Sequence, residues 1–215
     1  DTFYTIKVGE TIVKNGIDMI DHFSWHKLSY CYPHWLYDVM IYKIYDIFGF
    51  VGIYISTMIL YIILGLLVFF INIKRTKSTF ISLVMTIITT IVCGVYATAR
   101  AQLVSYIIFV LELYFIERLL SSSKKRYMIL LILLSILLAN IHAAVWPFFF
   151  ILFMPYILEN VVSTIKSKVS KNKQSKIFKD TIIIKKDECF KLLLITMIIC
   201  IFTGLLTPIK DIPYT

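Results

Sequence analysis

The sequence predicts an all-α chain, a polytopic transmembrane helix bundle of about six spans whose outer-face loop contains interfacial amphipathic helices. Three observations predict it. Of 215 residues, 59% are hydrophobic and 16% charged, with a mean hydropathy of +0.83, whereas a soluble domain carries about a quarter charged residues. Several stretches reach the roughly 20 apolar residues that a helix needs to cross a hydrocarbon core. Lys and Arg gather in three clusters, as they do beside cytoplasmic membrane faces. An ordinary cytosolic enzyme is thereby excluded, and the 15% aromatic content excludes disorder. The formal charge of +9 belongs at a membrane surface in so apolar a chain, and nucleic acid is not an expected partner. Cys31, Cys93, Cys189 and Cys200 are widely spaced and indicate neither a disulfide framework nor a zinc site.

Residues 1–46 differ from everything after them. They hold six of the thirteen acids and three of the four histidines, His22, His26 and His34. The segment reads as an extracytoplasmic loop with juxtamembrane helices. Apolar residues at 3, 6, 12 and 13 leave Lys7, Glu10 and Lys14 on another face, which predicts a short amphipathic helix stopped at Asn15-Gly16. A second helix is expected from about Trp35 to Tyr45, with Trp35, Met40, Ile41 and Ile44 set into the interface. Asp1 follows no initiator Met and 211–215 read as mid-loop, so a longer parent is expected at both ends.

The spans are expected at 47–72, 80–97, 103–120 and 190–207, with 127–160 the ambiguous stretch. Charge decides it. The clusters are Lys74, Arg75 and Lys77; Arg118 and 124–126; and nine lysines from Lys166 to Lys191, together sixteen of the 22 basic residues. Only a hairpin turning near Asn140-Ile141-His142 puts all three on one side. Two crossings therefore fill 127–160 and make 47–160 a bundle of about five spans. The lysine-rich loop 161–190 is then cytoplasmic, and 191–215 supply a further span and the start of another outer loop.

Several residues invite chemistry. Carboxylates beside aromatic rings in 1–46 suit sugar recognition, since rings stack on sugar C–H faces and acids bind hydroxyls; an aromatic belt with a solvated loop explains the same composition. Asp1 can accept a proton from a hydroxyl, or cap the helix that follows it. Arg100 is the basic residue of the short outer loop 98–102, where its planar fork fits a phosphate or carboxylate or a structural Asp. Asn140 and His142, at the hairpin turn, either act in a site or satisfy freed backbone groups. Glu112 lies inside a span, nearer its cytoplasmic end, where pairing with Lys or Tyr is favoured over function. No P-loop or dinucleotide fingerprint occurs. No HExxH motif supports a metal; none is assigned, and a divalent cation stays unsupported.

Taken in order, Asp1-Thr2-Phe3-Tyr4-Thr5-Ile6-Lys7-Val8-Gly9-Glu10, Gly16, Asp21-His22-Phe23-Ser24-Trp25 and His34-Trp35-Leu36 resemble the first periplasmic loop of bacterial GT-C glycosyltransferases. These multi-spanning enzymes are related to protein O-mannosyltransferases and oligosaccharyltransferase catalytic subunits. Ala99-Arg100-Ala101-Gln102-Leu103-Val104-Ser105-Tyr106 and Ala139-Asn140-Ile141-His142-Ala143 extend the likeness over most of 1–160. The chain departs from it at Thr5, where many relatives have His, and at Ala101, where they have Pro. The further acids of metal-using members are absent from 98–102.

The resemblance implies a multi-pass enzyme of the bacterial cytoplasmic membrane. It would move a sugar from a polyprenyl phosphate to a lipid, glycan or protein hydroxyl on the outer face. It places the catalytic carboxylate at Asp1. Arg100 and Lys7 would then hold the donor phosphate. Glu10, Asp21, Trp25, His34, Trp35, Asn140 and His142 would contact acceptor or sugar. Membrane lipids are the other expected partners. A transporter, flippase or polysaccharide-export component is the rival, although such proteins tend to place polar sites at mid-membrane in repeated halves.

Overall fold

The computed structural model describes residues 2–94, 98–169, 176–209 and 213, with side chains described to 162 and again from 188 within the last two helices. The chain is all-α. Its helices are α1 (Thr2–Asn15), α2 (Trp35–Thr76), α3 (Thr79–Gly94), α4 (Ala101–Ser122), α5 (Lys125–Ile141), α6 (Pro147–Val169) and α7 (Lys176–Thr203). A 3-10 turn, Ala143–Val145, joins α5 to α6. The extended residues of the 17–34 segment make one isolated antiparallel bridge, Ile20 with Ser29.

Local chemistry sets the ends. Gly16 takes φ +81 and its N–H donates to the Ile12 carbonyl at 2.9 Å, closing α1 where glycine tolerates a left-handed turn. Lys77 and Ser123 adopt the same left-handed conformation and close α2 and α4. The expected interfacial helix and first span are the two arms of α2, which part at Gly49, whose φ of 62 and ψ of −157 suit a residue without Cβ. The stretch 127–160 is divided between two helices, α5 and α6, with a short turn between them where the sequence predicts one. Its turn is tied to the first loop by Ala143 N–H donating to the Pro33 carbonyl at 2.8 Å.

Of the expected apolar face of α1, Ile6 and Ile12 turn onto the protein together with Val8, while Phe3 and Val13 stay exposed. Ile6 packs with Tyr37, Ile41 and Ile53, and Val8 and Ile12 pack with Tyr32, Ala143 and Ile209. Gly9 makes this approach feasible: a Cβ there would lie 2.1 Å from the Asp38 carbonyl oxygen. Ile41, expected at the lipid interface, is therefore buried, while Met40 stays exposed.

A second core joins α4, α5, α6 and α7 through Ile108, Ile116, Leu131, Leu138, Phe149, Phe153 and Leu193. Within it the Ser135 and Thr203 hydroxyls bond at 2.7 Å, and Trp146 Nε1 donates to Ser135 at 3.0 Å. Glu112 is fully buried, and neither carboxylate oxygen has a hydrogen-bond partner among the described residues.

The helices alternate in direction. At one end, Asn140 Nδ2 donates to the Leu206 carbonyl at 3.3 Å, beside α1. At the other, Arg75 pairs with Glu117, Tyr156 donates to Glu117 at 3.3 Å, and the Ser123 hydroxyl meets Cys189 Sγ at 2.8 Å. Lys74 and Arg118 flank the Tyr114 ring there.

Among the described residues, Trp35–Thr76 and Ala143–Val162 are helical stretches long and apolar enough to cross a membrane, and Thr79–Gly94 is a shorter apolar helix. The first two are only 17% and 22% buried, so their apolar side chains face outward. Surface of that kind marks association with an apolar partner such as a bilayer.

Candidate functional site

At the α1 end of the bundle a cleft of about 490 Å³ is lined by Tyr4, Thr5, Tyr30, His34, Tyr37, Arg100, Ala101 and Gln102. Each wall has a local origin. Thr5 is one of the buried residues of α1, held where Gly9 lets α1 settle onto α2. Tyr30 stacks edge-on against Tyr4 and Tyr32, with ring centroids 6.3 and 4.7 Å apart. Burial of the Tyr30 hydroxyl pushes its pKa well above the usual phenol range. Arg100 precedes α4 in extended backbone, φ −134 and ψ 152.

His34 immediately precedes α2 and meets a side chain four residues further along it. Its Nδ1 lies 3.0 and 3.2 Å from the two carboxylate oxygens of Asp38. Asp38 is fully buried, and the imidazole is 30% exposed. A carboxylate at Nδ1 fixes the proton there and leaves Nε2 as the ring atom available to a ligand. Behind His34, at 6.1 Å between ring centroids, lies His142. His142 Nδ1 bonds the buried Ser105 hydroxyl at 2.9 Å, and that hydroxyl also donates to the Ala101 carbonyl at 3.1 Å. Burial, reinforced by His34, pushes His142 down to a pKa of about 4.

The chemistry of the cleft is therefore biased. Its described lining carries a guanidinium, an imidazole, an amide and three phenols, with no carboxylate among them. A guanidinium beside hydroxyl, amide and imidazole groups is a lining that suits an anion carrying hydrogen-bonding oxygens. An apolar groove of about 350 Å³ lies next to it, lined by Phe50, Ile53, Tyr54, Met58, Thr98 and Ala99 among others. Thr98 and Ala99 immediately precede Arg100, so one short loop borders both spaces.

The residues singled out from sequence are distributed as follows. Arg100 and His34 share the cleft, and His142 stands behind it. Asp1 lies outside the described residues. Lys7 lines a different cleft, on another side of α1, with Glu10, Tyr42, Tyr45 and Asp46. There Lys7 and Lys14 each pair with Glu10 at 2.7 Å, which draws the Glu10 pKa down to about 2. The i,i+3 and i,i+4 spacing of these charges holds Lys7 along its own helix rather than beside Arg100. Asp21 accepts the Phe23 N–H at 2.9 Å, closing a loop turn. Trp25 is 95% exposed. Trp35 Nε1 donates to Asn140 Oδ1 at 3.2 Å, and Asn140 Nδ2 donates to the Ile136 carbonyl at 2.8 Å. This pair braces the wall instead of facing the cleft.

Sequence reading assigned no role to Asp38, Ser105, Tyr30, Tyr37 or Gln102. The His34-to-Asp38 spacing of four was the available signal, and on a helix it looks the same whether solvated or buried. No group of three or more His, Cys, Asp or Glu among the described residues is arranged to hold a metal ion. Comparison with family models, curated proteins and solved structures finds no match for this chain.

Proposed function

We propose that the chain is part of a multi-pass bacterial membrane glycosyltransferase of GT-C type. It transfers sugar from a polyprenyl phosphate to an acceptor hydroxyl on the outer face of the cytoplasmic membrane. In this reading α3, α4, α5, α6 and α7 and the long arm of α2 after Gly49 are the six spans. The α1 end faces outward and the Arg75–Glu117 end faces the cytoplasm. The observation that carries the reading is the donor-rich cleft around Arg100 and His34 bordering an apolar groove through 98–102. A sugar phosphate on an isoprenoid presents just such a pairing, an anion joined to a hydrocarbon chain.

The chemistry is an inverting displacement. The acceptor oxygen attacks the anomeric carbon and its proton passes to the carboxylate at Asp1, the residue favoured by the GT-C resemblance. The bond from the anomeric carbon to the phosphate oxygen breaks with its electron pair, and prenyl phosphate leaves. Arg100 stabilises the charge that gathers on the phosphate.

The test is incubation of purified full-length protein with a panel of polyprenyl-phosphate sugars and measurement of free prenyl phosphate. The reading expects release with at least one sugar, abolished in Asp1→Asn with folding and insertion unchanged. Folded protein that releases none, yet moves the sugar lipid across vesicles, would make the chain a flippase. Normal release by Asp1→Asn would remove Asp1 from the mechanism.

A further inference from the structure

We propose that His34, backed by Asp38, is a second cationic donor beside Arg100, so that the two side chains hold one phosphate group between them. The inference rests on the lipid-phosphate reading of the cleft and names a partner for Arg100 within it.

Three observations carry it. His34 and Arg100 line the same cleft. Asp38 places a fully buried carboxylate against Nδ1 of His34, with both oxygens within 3.2 Å. Burial pushes the Asp38 pKa up while the His34 contact draws it down, and a carboxylate held against Nδ1 leaves Nε2–H to donate to a ligand oxygen. The neighbouring imidazole is built the other way. His142 faces the neutral hydroxyl of Ser105 and is buried, which holds it uncharged near neutral pH. The two rings lie 6.1 Å apart and meet different partners, a carboxylate at His34 and a neutral hydroxyl at His142.

The other titratable groups around His34 are Tyr4 from α1, Tyr30 from the loop, Tyr37 from α2 and Arg100 before α4. None of these brings a carboxylate into the cleft to compete with a bound anion. When prenyl phosphate departs, the imidazolium and guanidinium neutralise its charge without forming a bond to it. Asp38 acts through His34 and is a positioning residue.

Binding to the full-length protein in detergent tests this without turnover, using inorganic phosphate and a soluble ten-carbon prenyl phosphate as probes. Wild type is expected to bind the prenyl phosphate more tightly than inorganic phosphate, which separates a lipid headgroup from free phosphate. His34→Gln and Asp38→Asn should each weaken both probes about tenfold, the worth of one charge-assisted hydrogen bond. Diethyl phosphate, whose charge is fixed, supplies the readout that a merely structural Asp38 would not move. Wild type should bind it more tightly at about pH 6 than at about pH 8, and Asp38→Asn should lose that difference. Should Asp38→Asn fail to fold, His34→Gln, at a partly exposed side chain, keeps the test decisive. Unchanged binding in His34→Gln, or no binding of either phosphate by wild type, overturns the inference. Tight binding that depends on His34, in a protein that releases no prenyl phosphate, overturns the transferase reading and leaves the two-cation site standing.

Discussion

Asp38 and Glu112 are both fully buried carboxylates on helices of the same bundle, yet they sit in opposite surroundings. Asp38 lies under α1, and an imidazole meets both of its oxygens. Glu112 lies in the α4–α7 core with neither oxygen hydrogen-bonded among the described residues. A buried polar group without a partner costs about 1–3 kcal/mol, whereas one with a charge-assisted partner contributes to stability. Burial alone therefore says little about a carboxylate. What meets it separates a group that organises a site from one that the fold tolerates.

The comparison breaks most readily at Gly9, because α1 covers Asp38 only where a Cβ is absent. Gly9→Val should force α1 off α2, with loss of about 3 kcal/mol in stability, the upper range for overpacking. Thermal unfolding in detergent checks the loss, and phosphate-probe binding should fall with it, since Tyr4 and Thr5 line the cleft. A variant as stable as wild type would mean that the α1–α2 approach is looser than 2.1 Å to that Cβ implies.

Exchanging each carboxylate for leucine sharpens the contrast through the sign of the effect. Glu112→Leu should raise stability by about 1–3 kcal/mol by removing the unpartnered group, and Asp38→Leu should lower it by leaving His34 without its acceptor. Equal signs would show that the two environments are energetically alike.

The imidazole pair gives a smaller, pH-dependent effect. The folded-state pKa of His142, about 4, lies below the ordinary 6.5, so the unfolded chain binds the proton first on acidification. The contribution of neutral His142 is then fully present above pH 6.5 and is lost as pH falls toward 4. His142→Gln should show a shallower acid loss than wild type over that window in thermal melts. Trp25→Ala should have the smallest effect on folding, about 0.5 kcal/mol or less, because the ring is 95% exposed. A raised acceptor KM with unchanged folding would give that ring a role in acceptor binding.

Much of the helical plan was legible in the chain. Apolar spacing in 3–13 and the Asn15-Gly16 stop correspond to α1, and the expected break near 140–142 corresponds to the end of α5 at Ile141. What was not legible depends on how helices meet. A periodic apolar face is equally ready for lipid or for another helix, so α1 and Ile41 were expected at the interface although they pack on each other's side of the fold. The joining of 35–48 to 50–76 turns on the conformation of one residue, Gly49. In the candidate site, Arg100 was singled out by its charge and His34 through the family resemblance, as a sugar or acceptor contact, whereas Asp38 is buried by a helix about thirty residues earlier.

The central claim is that the Arg100 cleft holds the phosphate of the sugar donor, and steady-state kinetics of Arg100→Ala in the full-length protein tests it most directly. The account expects the KM for the polyprenyl-phosphate sugar to rise at least about tenfold, with the acceptor KM nearly unchanged. A rise confined to the acceptor, or donor KM equal to wild type, would contradict it.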